Sequence, residues 1–101
     1  MAERRGTQRT ELALECVLRR RTGSAISVRT VNVGPGGMCV TTQRPLAIDE
    51  VLEFDLPLAG AEHVDGRARV VRQERHDRYA LRFEGLLGPT REHLQAFTES
   101  G

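Results

Sequence analysis

The strongest constraint on the fold is a period of two in the apolar residues, repeated in short segments that glycine, proline and charged clusters interrupt. From Glu11 to Leu18 it sets Leu12, Leu14, Cys16 and Leu18 on one side, the pattern of a strand with one buried face. Arg19 to Ser24 reads RRRTGS, a charged turn centred on Gly23. Ala25 to Asn32 resumes with Ile26, Val28, Thr30 and Val31, so the two segments predict a hairpin. Gly34-Pro35-Gly36-Gly37 is a tight turn feeding a third strand through Met38, Cys39, Val40, Thr41 and Thr42. Val51 to Leu58 alternates Leu52, Phe54, Leu56 and Leu58 against Glu53 and Asp55. His63 to Gln73 sets Val64, Gly66, Ala68 and Val70 against Asp65, Arg67, Arg69 and Val71, and Tyr79 to Glu84 sets Tyr79, Leu81 and Phe83 against Ala80, Arg82 and Glu84, with a polar turn at Glu74 to Arg78. After Gly88-Pro89, Leu94 and Phe97 fall at helical spacing behind Thr90 as a cap, predicting a short amphipathic helix to Ser100. Six short strands with one terminal helix make an all-β (mainly β) chain, an antiparallel barrel or sandwich.

A length of 101 residues allows one small domain. The chain divides into an arginine-bearing arm at 1–9 and a folded domain at 10–101. All 15 basic residues are arginine, yet 14 acids bring the net charge to +1, which argues against a protein coated in nucleic acid. The balance is uneven: residues 1–32 carry seven arginines and three acids, a surplus of +4. Cys16 and Cys39 are too few and too far apart for a metal set or disulfide framework, and both sit in apolar runs as expected of buried thiols. His63, His76 and His93 fall in separate elements, and Ser24, Ser27 and Ser100 occupy no nucleophile elbow, so neither a metal site nor a catalytic residue is expected and the chain does not read as an enzyme. Four aromatic residues, none interleaved with arginine, supply no stacking platform for single-stranded nucleic acid. No membrane-length apolar stretch or signal-peptide core occurs, which makes the cytoplasm the expected location, with no membrane partner.

Two features are left. In Arg4-Arg5-Gly6-Thr7-Gln8-Arg9, residues four apart share a side whether the arm is extended or helical, so Arg5 and Arg9 converge. Guanidinium groups bind phosphate bidentately, reach the O6 and N7 acceptors of guanine and stack on purines. Taken alone, such a pair is as well explained by a solvated terminus. In Asn32-Val33-Gly34-Pro35-Gly36-Gly37, a strand-end amide meets a glycine turn whose N–H groups can line an anion-binding concavity, while Asn32 can donate and accept toward a base edge. The ordinary alternative is a connection with Pro35-Gly36 in a type II turn.

In combination the two features resemble the bacterial PilZ domain family, whose members carry an R-x-x-x-R arm and, about two dozen residues later, [D/N]-x-S-x-x-G between short strands. The arm here is Arg5 to Arg9 with Arg4 preceding it, and the second motif is Asn32 to Gly37. ARVVRQE, RYALRFEGL and the final helix extend the likeness over nearly the whole chain. The resemblance implies a six-stranded β-barrel with a C-terminal helix and a flexible arm. It also implies a receptor for cyclic di-GMP as ligand, with no cofactor, that signals to an effector protein in motility, pilus assembly or biofilm regulation. Arg4, Arg5 and Arg9 would hold phosphates and guanine edges, Asn32 would contact a guanine, and Gly37 would supply backbone geometry.

Gly34 stands where the family has serine, so one ligand-facing hydroxyl is missing and the Gly34 N–H is the donor expected in its place. Two hypotheses follow. One is a cyclic di-GMP receptor that closes its arm over the ligand; the other is an adaptor on the same barrel that has lost the ligand and works through protein contacts. The arginine arm favours the first and Gly34 the second.

Overall fold

The computed structural model describes residues 10–57 and 63–85. The arginines at 4, 5 and 9 and the helix expected at 90–100 lie outside the described residues. The elements are β1 (Thr10–Glu11), β2 (Glu15–Arg19), β3 (Ala25–Val33), β4 (Gly37–Thr41), β5 (Val51–Pro57), β6 (His63–Arg75) and β7 (Arg78–Glu84). Their order is β1-β3-β2-β5-β6-β7-β4, and β4 returns to β3. All pairings are antiparallel. β1 and β2 lie along the same edge of β3, so the ring is a closed six-stranded barrel. Closure resolves the barrel-or-sandwich alternative, and pairing the two outermost strands removes most sheet edge from solvent.

The period of two determines which side chains fill the barrel. Leu18, Val33, Val40, Leu56, Ala68 and Val70 are fully buried, and Phe54 stacks on half-buried Phe83 with ring centroids 4.8 Å apart. Glu53 and Asp55, on the alternate positions of β5, face water. Each buried Leu or Val contributes about 1.5–3 kcal/mol through removal of apolar surface. Cys16 and Cys39 are both buried thiols, not joined in a disulfide. Burial pushes the Cys16 thiol up to about 12, so it carries no thiolate near neutrality.

The continuous strand expected from Glu11 to Leu18 is instead interrupted at residues 12–14. The cause is Thr30, a buried polar residue on β3. Its hydroxyl donates to the Leu12 carbonyl and accepts from the Leu14 N–H at 2.8 Å, standing in for ladder bonds. The Thr30 N–H meanwhile donates to Leu14 O at 2.8 Å and the Leu12 N–H to Val31 O at 3.2 Å. Leu12 and Leu14 still pack against the core. Thr30→Val keeps the volume but strands two backbone groups, so we expect a loss of about 2 kcal/mol in urea unfolding, largely restored in Thr30→Ser. A valine variant as stable as the wild type would contradict this role.

At the other end of β2, Arg20 reaches Glu50 through Nε at 2.7 Å and Nη2 at 3.1 Å, and Nη2 also donates to Pro45 O at 2.7 Å. The hairpin turn is thereby tied to the connection before β5. The Arg20 hydrogen bond holds the Glu50 carboxyl below its usual range, against the opposing effect of burial, with help from the Ala47 N–H. A depressed folded-state pKa means that the pair stabilises the fold above the unfolded carboxyl value and that this contribution is lost as pH falls through the folded value. Glu50→Gln should therefore lower stability by about 1 kcal/mol at neutral pH. The gap between variant and wild type should close in acid, as read from urea midpoints across pH.

Candidate functional site

The motif turn lies at one pole of the barrel, and strand register shows what meets it there. Thr10 pairs with Val33 and Glu11 with Asn32, so the arm joins the barrel directly opposite the motif. Gly37 pairs with Arg82, and the Phe83 N–H donates to Gly36 O at 2.9 Å, bringing the end of β7 to the same pole. In the sequence Thr10 directly follows Arg9, the last residue of the R-x-x-x-R segment.

Asn32 reaches this site through a β-bulge. Ile26, Val28 and Thr30 point inward, and simple alternation would bury Asn32 as well. The register instead passes from Thr30 opposite Val40 to Asn32 opposite Cys39, leaving Val31 as the extra residue. The inward position moves to Val33, and Asn32 becomes half-buried on the outer face. Bulges commonly re-aim a side chain in this way. Asn32, Cys39, Ala80 and Arg72 then form an outer row across β3, β4, β7 and β6.

Two details of the turn correct the sequence reading. The Gly34 N–H is not an open anion donor, because it closes the hairpin on Gly37 O at 2.9 Å. Pro35-Gly36 is not a type II turn, which needs positive φ at Gly36; among the described glycines positive φ occurs at Gly23 and Gly85. Gly37 is required by packing. A Cβ there would fall inside contact distance of the Leu81 carbonyl oxygen and 3.2 Å from Arg82 Cα, both backbone atoms of β7.

Two arginines of β6 are engaged in ion pairs. Arg72 donates to Glu74 at 2.7 Å and the buried Cys39 thiol lies 3.4 Å from the other Glu74 oxygen; Arg72 first, then Cys39, hold that carboxyl below its usual range. Arg69 donates to Glu84 at 2.6 Å. Arg19 and Arg21 are exposed at the turn as expected, whereas the role of Arg20 toward Glu50 was not legible from spacing. Of the predicted site residues, Asn32, Gly34 and Gly37 are brought together at the pole. Among the described residues no group of three or more His, Cys, Asp or Glu could hold a metal, and no helix is long and apolar enough to cross a membrane.

A closed six-stranded antiparallel barrel with a strand-end amide and a glycine turn at one pole defines a class of small β-barrel domains. The chain belongs to the PilZ domain family, whose sequence model matches residues 3–100. The inhibitor of motility of Bacillus subtilis, MotI/DgrA, superposes with a TM-score of 0.83 at 16% identity, over 98% of this chain and 51% of that one. This chain thus spans about half the length of MotI/DgrA. The PilZ domain of YcgR from Escherichia coli, solved with c-di-GMP, gives a TM-score of 0.79 at 15% identity, over 97% of this chain and 91% of that one. The PilZ domain of CeSA from a cellulose-synthesizing bacterium gives 0.73 at 14%, over 93% and 97%. At these identities the likeness establishes the fold. No curated protein matches the chain.

Proposed function

We propose that this chain is a cyclic di-GMP receptor whose arm closes over the nucleotide and alters a surface read by a partner protein. The observation that supports this reading is the register of β1 on β3, Thr10 with Val33 and Glu11 with Asn32, since Thr10 is the residue that follows Arg9 in the chain. Arg4, Arg5 and Arg9 supply fork-shaped donors for phosphate and guanine acceptors, and Asn32 supplies an amide for a base edge. Gly37 lets β4 approach β7 closely enough to hold the turn. Ordering the arm uses part of the binding free energy, which makes binding a switch. A cytoplasmic partner in motility machinery is the first candidate, given that MotI/DgrA is an inhibitor of motility.

One observation favours an adaptor without ligand: Gly34 lacks a hydroxyl and its N–H is already bonded to Gly37. Isothermal titration with cyclic di-GMP separates the two readings, since an adaptor gives no heat at high micromolar nucleotide. The receptor reading also expects Gly34→Ser to tighten binding roughly tenfold by restoring a hydrogen bond to the charged ligand. Since Gly34 is not among the positive-φ glycines, serine is not opposed there by left-handed backbone strain. Unchanged or weaker affinity would remove this account of position 34.

A further inference from the structure

The barrel seam between β3 and β4 opens at the pole away from the motif. β2 pairs with β3 along Ala25 to Arg29, but β4 pairs with it only from Arg29 onward, where Arg29 faces Thr41. The Arg20 N–H to Ser24 O and Thr30 N–H to Leu14 O bonds set the phase of the β2–β3 ladder. In an antiparallel pair the bonded positions alternate, so Ile26 and Val28 direct their N–H and C=O toward β2, and Ala25 and Ser27 direct theirs the other way. Beyond Thr41 the chain turns off into the Thr42–Arg44 bend, and the backbone groups of Ala25 and Ser27 have no strand partner among the described residues.

An open cleft of about 670 Å3 lies against this edge, lined by Ser27, Arg29, Thr41, Gln43, His76 and Asp77 among others. Its charged lining residues are Glu15, Arg29 and Asp77. Arg29 is paired with Glu15 at 3.1 Å, whereas the Asp77 carboxylate has no ion pair among the described residues. Among the described residues the edge also lacks the usual protection. The outer end of β6 carries irregularities between Val70 and Arg72 and between Gln73 and Arg75, together with exposed arginines, the devices that blunt an edge. Ala25 to Val28 has no bulge, proline or charge and offers small side chains at its outward positions.

We propose that this edge docks an extended peptide segment of a partner protein, added as a short strand on Ala25 and Ser27, with a cationic side chain of the segment against Asp77. Main-chain bonds supply affinity in such strand addition and side-chain subsites supply selectivity. The proposal does not depend on nucleotide binding at the opposite pole.

The test selects a phage-displayed library of random heptapeptides on the full chain and measures the recovered sequences as synthetic peptides. Recovered peptides should carry Lys or Arg and protect the Ser27 amide from hydrogen exchange. Ser27→Pro removes an N–H the barrel does not use, at the cost of fixing φ at about −65° within β3, and should weaken them about tenfold or more. Asp77→Asn, at a half-buried turn position whose carboxylate has no ion pair among the described residues, should weaken the cationic peptides while leaving the circular dichroism spectrum unchanged, and it decides the matter should Ser27→Pro fail to fold. Recovery of no peptide above an unrelated protein, or peptides that bind both variants as tightly as wild type, would overturn the proposal.

Discussion

Arg9→Ala is expected to abolish measurable cyclic di-GMP binding, and Arg5→Ala to do the same, with the unfolding midpoint unchanged in both. Each arginine is proposed to meet an anionic or guanine acceptor, and a hydrogen bond to a charged group contributes about 1.5–3 kcal/mol, so losing a two-pronged contact weakens binding roughly a hundredfold or more. Arg9→Lys gives the sharper comparison. It keeps the charge and removes the planar fork, so affinity should fall between wild type and Arg9→Ala. Equal affinity in Arg9→Lys and wild type would mean that the arm acts by charge alone. Wild-type affinity in both alanine variants would remove the arm from the site, although it joins the barrel opposite Val33.

Gly37→Ala should lower stability by about 2–4 kcal/mol in urea unfolding, through backbone packing. The added methyl would meet the Leu81 carbonyl and Arg82 Cα, and neither can rotate away as a side-chain tip would. The β4–β7 ladder from Gly37–Arg82 to Thr41–Arg78 would have to separate, taking the motif turn with it. Gly36→Ala is the control one residue away. A Cβ at Gly36 would have no atom within 4 Å and φ there is not positive, so alanine should be neutral or stabilise by about 0.4–1 kcal/mol. Comparable losses at both positions would show that the last motif glycine is a matter of turn flexibility.

Strand positions were legible because a barrel with one wet face and one dry face writes its geometry into alternation. β5 and the early part of β6 follow that pattern closely, whereas β7 buries Tyr79, Ala80 and Leu81 in succession; the Leu12, Leu14, Cys16 and Leu18 row keeps its side despite the break at 12–14. Thr30 and Arg20 were not legible. Threonine is at home in any strand, and only the three-dimensional approach of Leu12 and Leu14 turns its hydroxyl into a ladder partner. Arg20 looked like its neighbours Arg19 and Arg21 until Glu50, thirty residues away, was brought beside it.

The sequence by itself determined the number of strands, the residues facing the core and the two motif segments, because these depend on local periodicity and on residue chemistry. Tertiary structure alone decided that the sheet closes, that a bulge at Val31 turns Asn32 to the outer face, and that the root of the arm pairs with the motif strand. It also decided that the Gly34 N–H is used within the turn and that β4 leaves Ala25 and Ser27 unpaired on their outer edge among the described residues. Register and bulges arise from pairing between distant segments, and a one-residue shift in pairing reverses which face a side chain occupies, so no single segment carries that information.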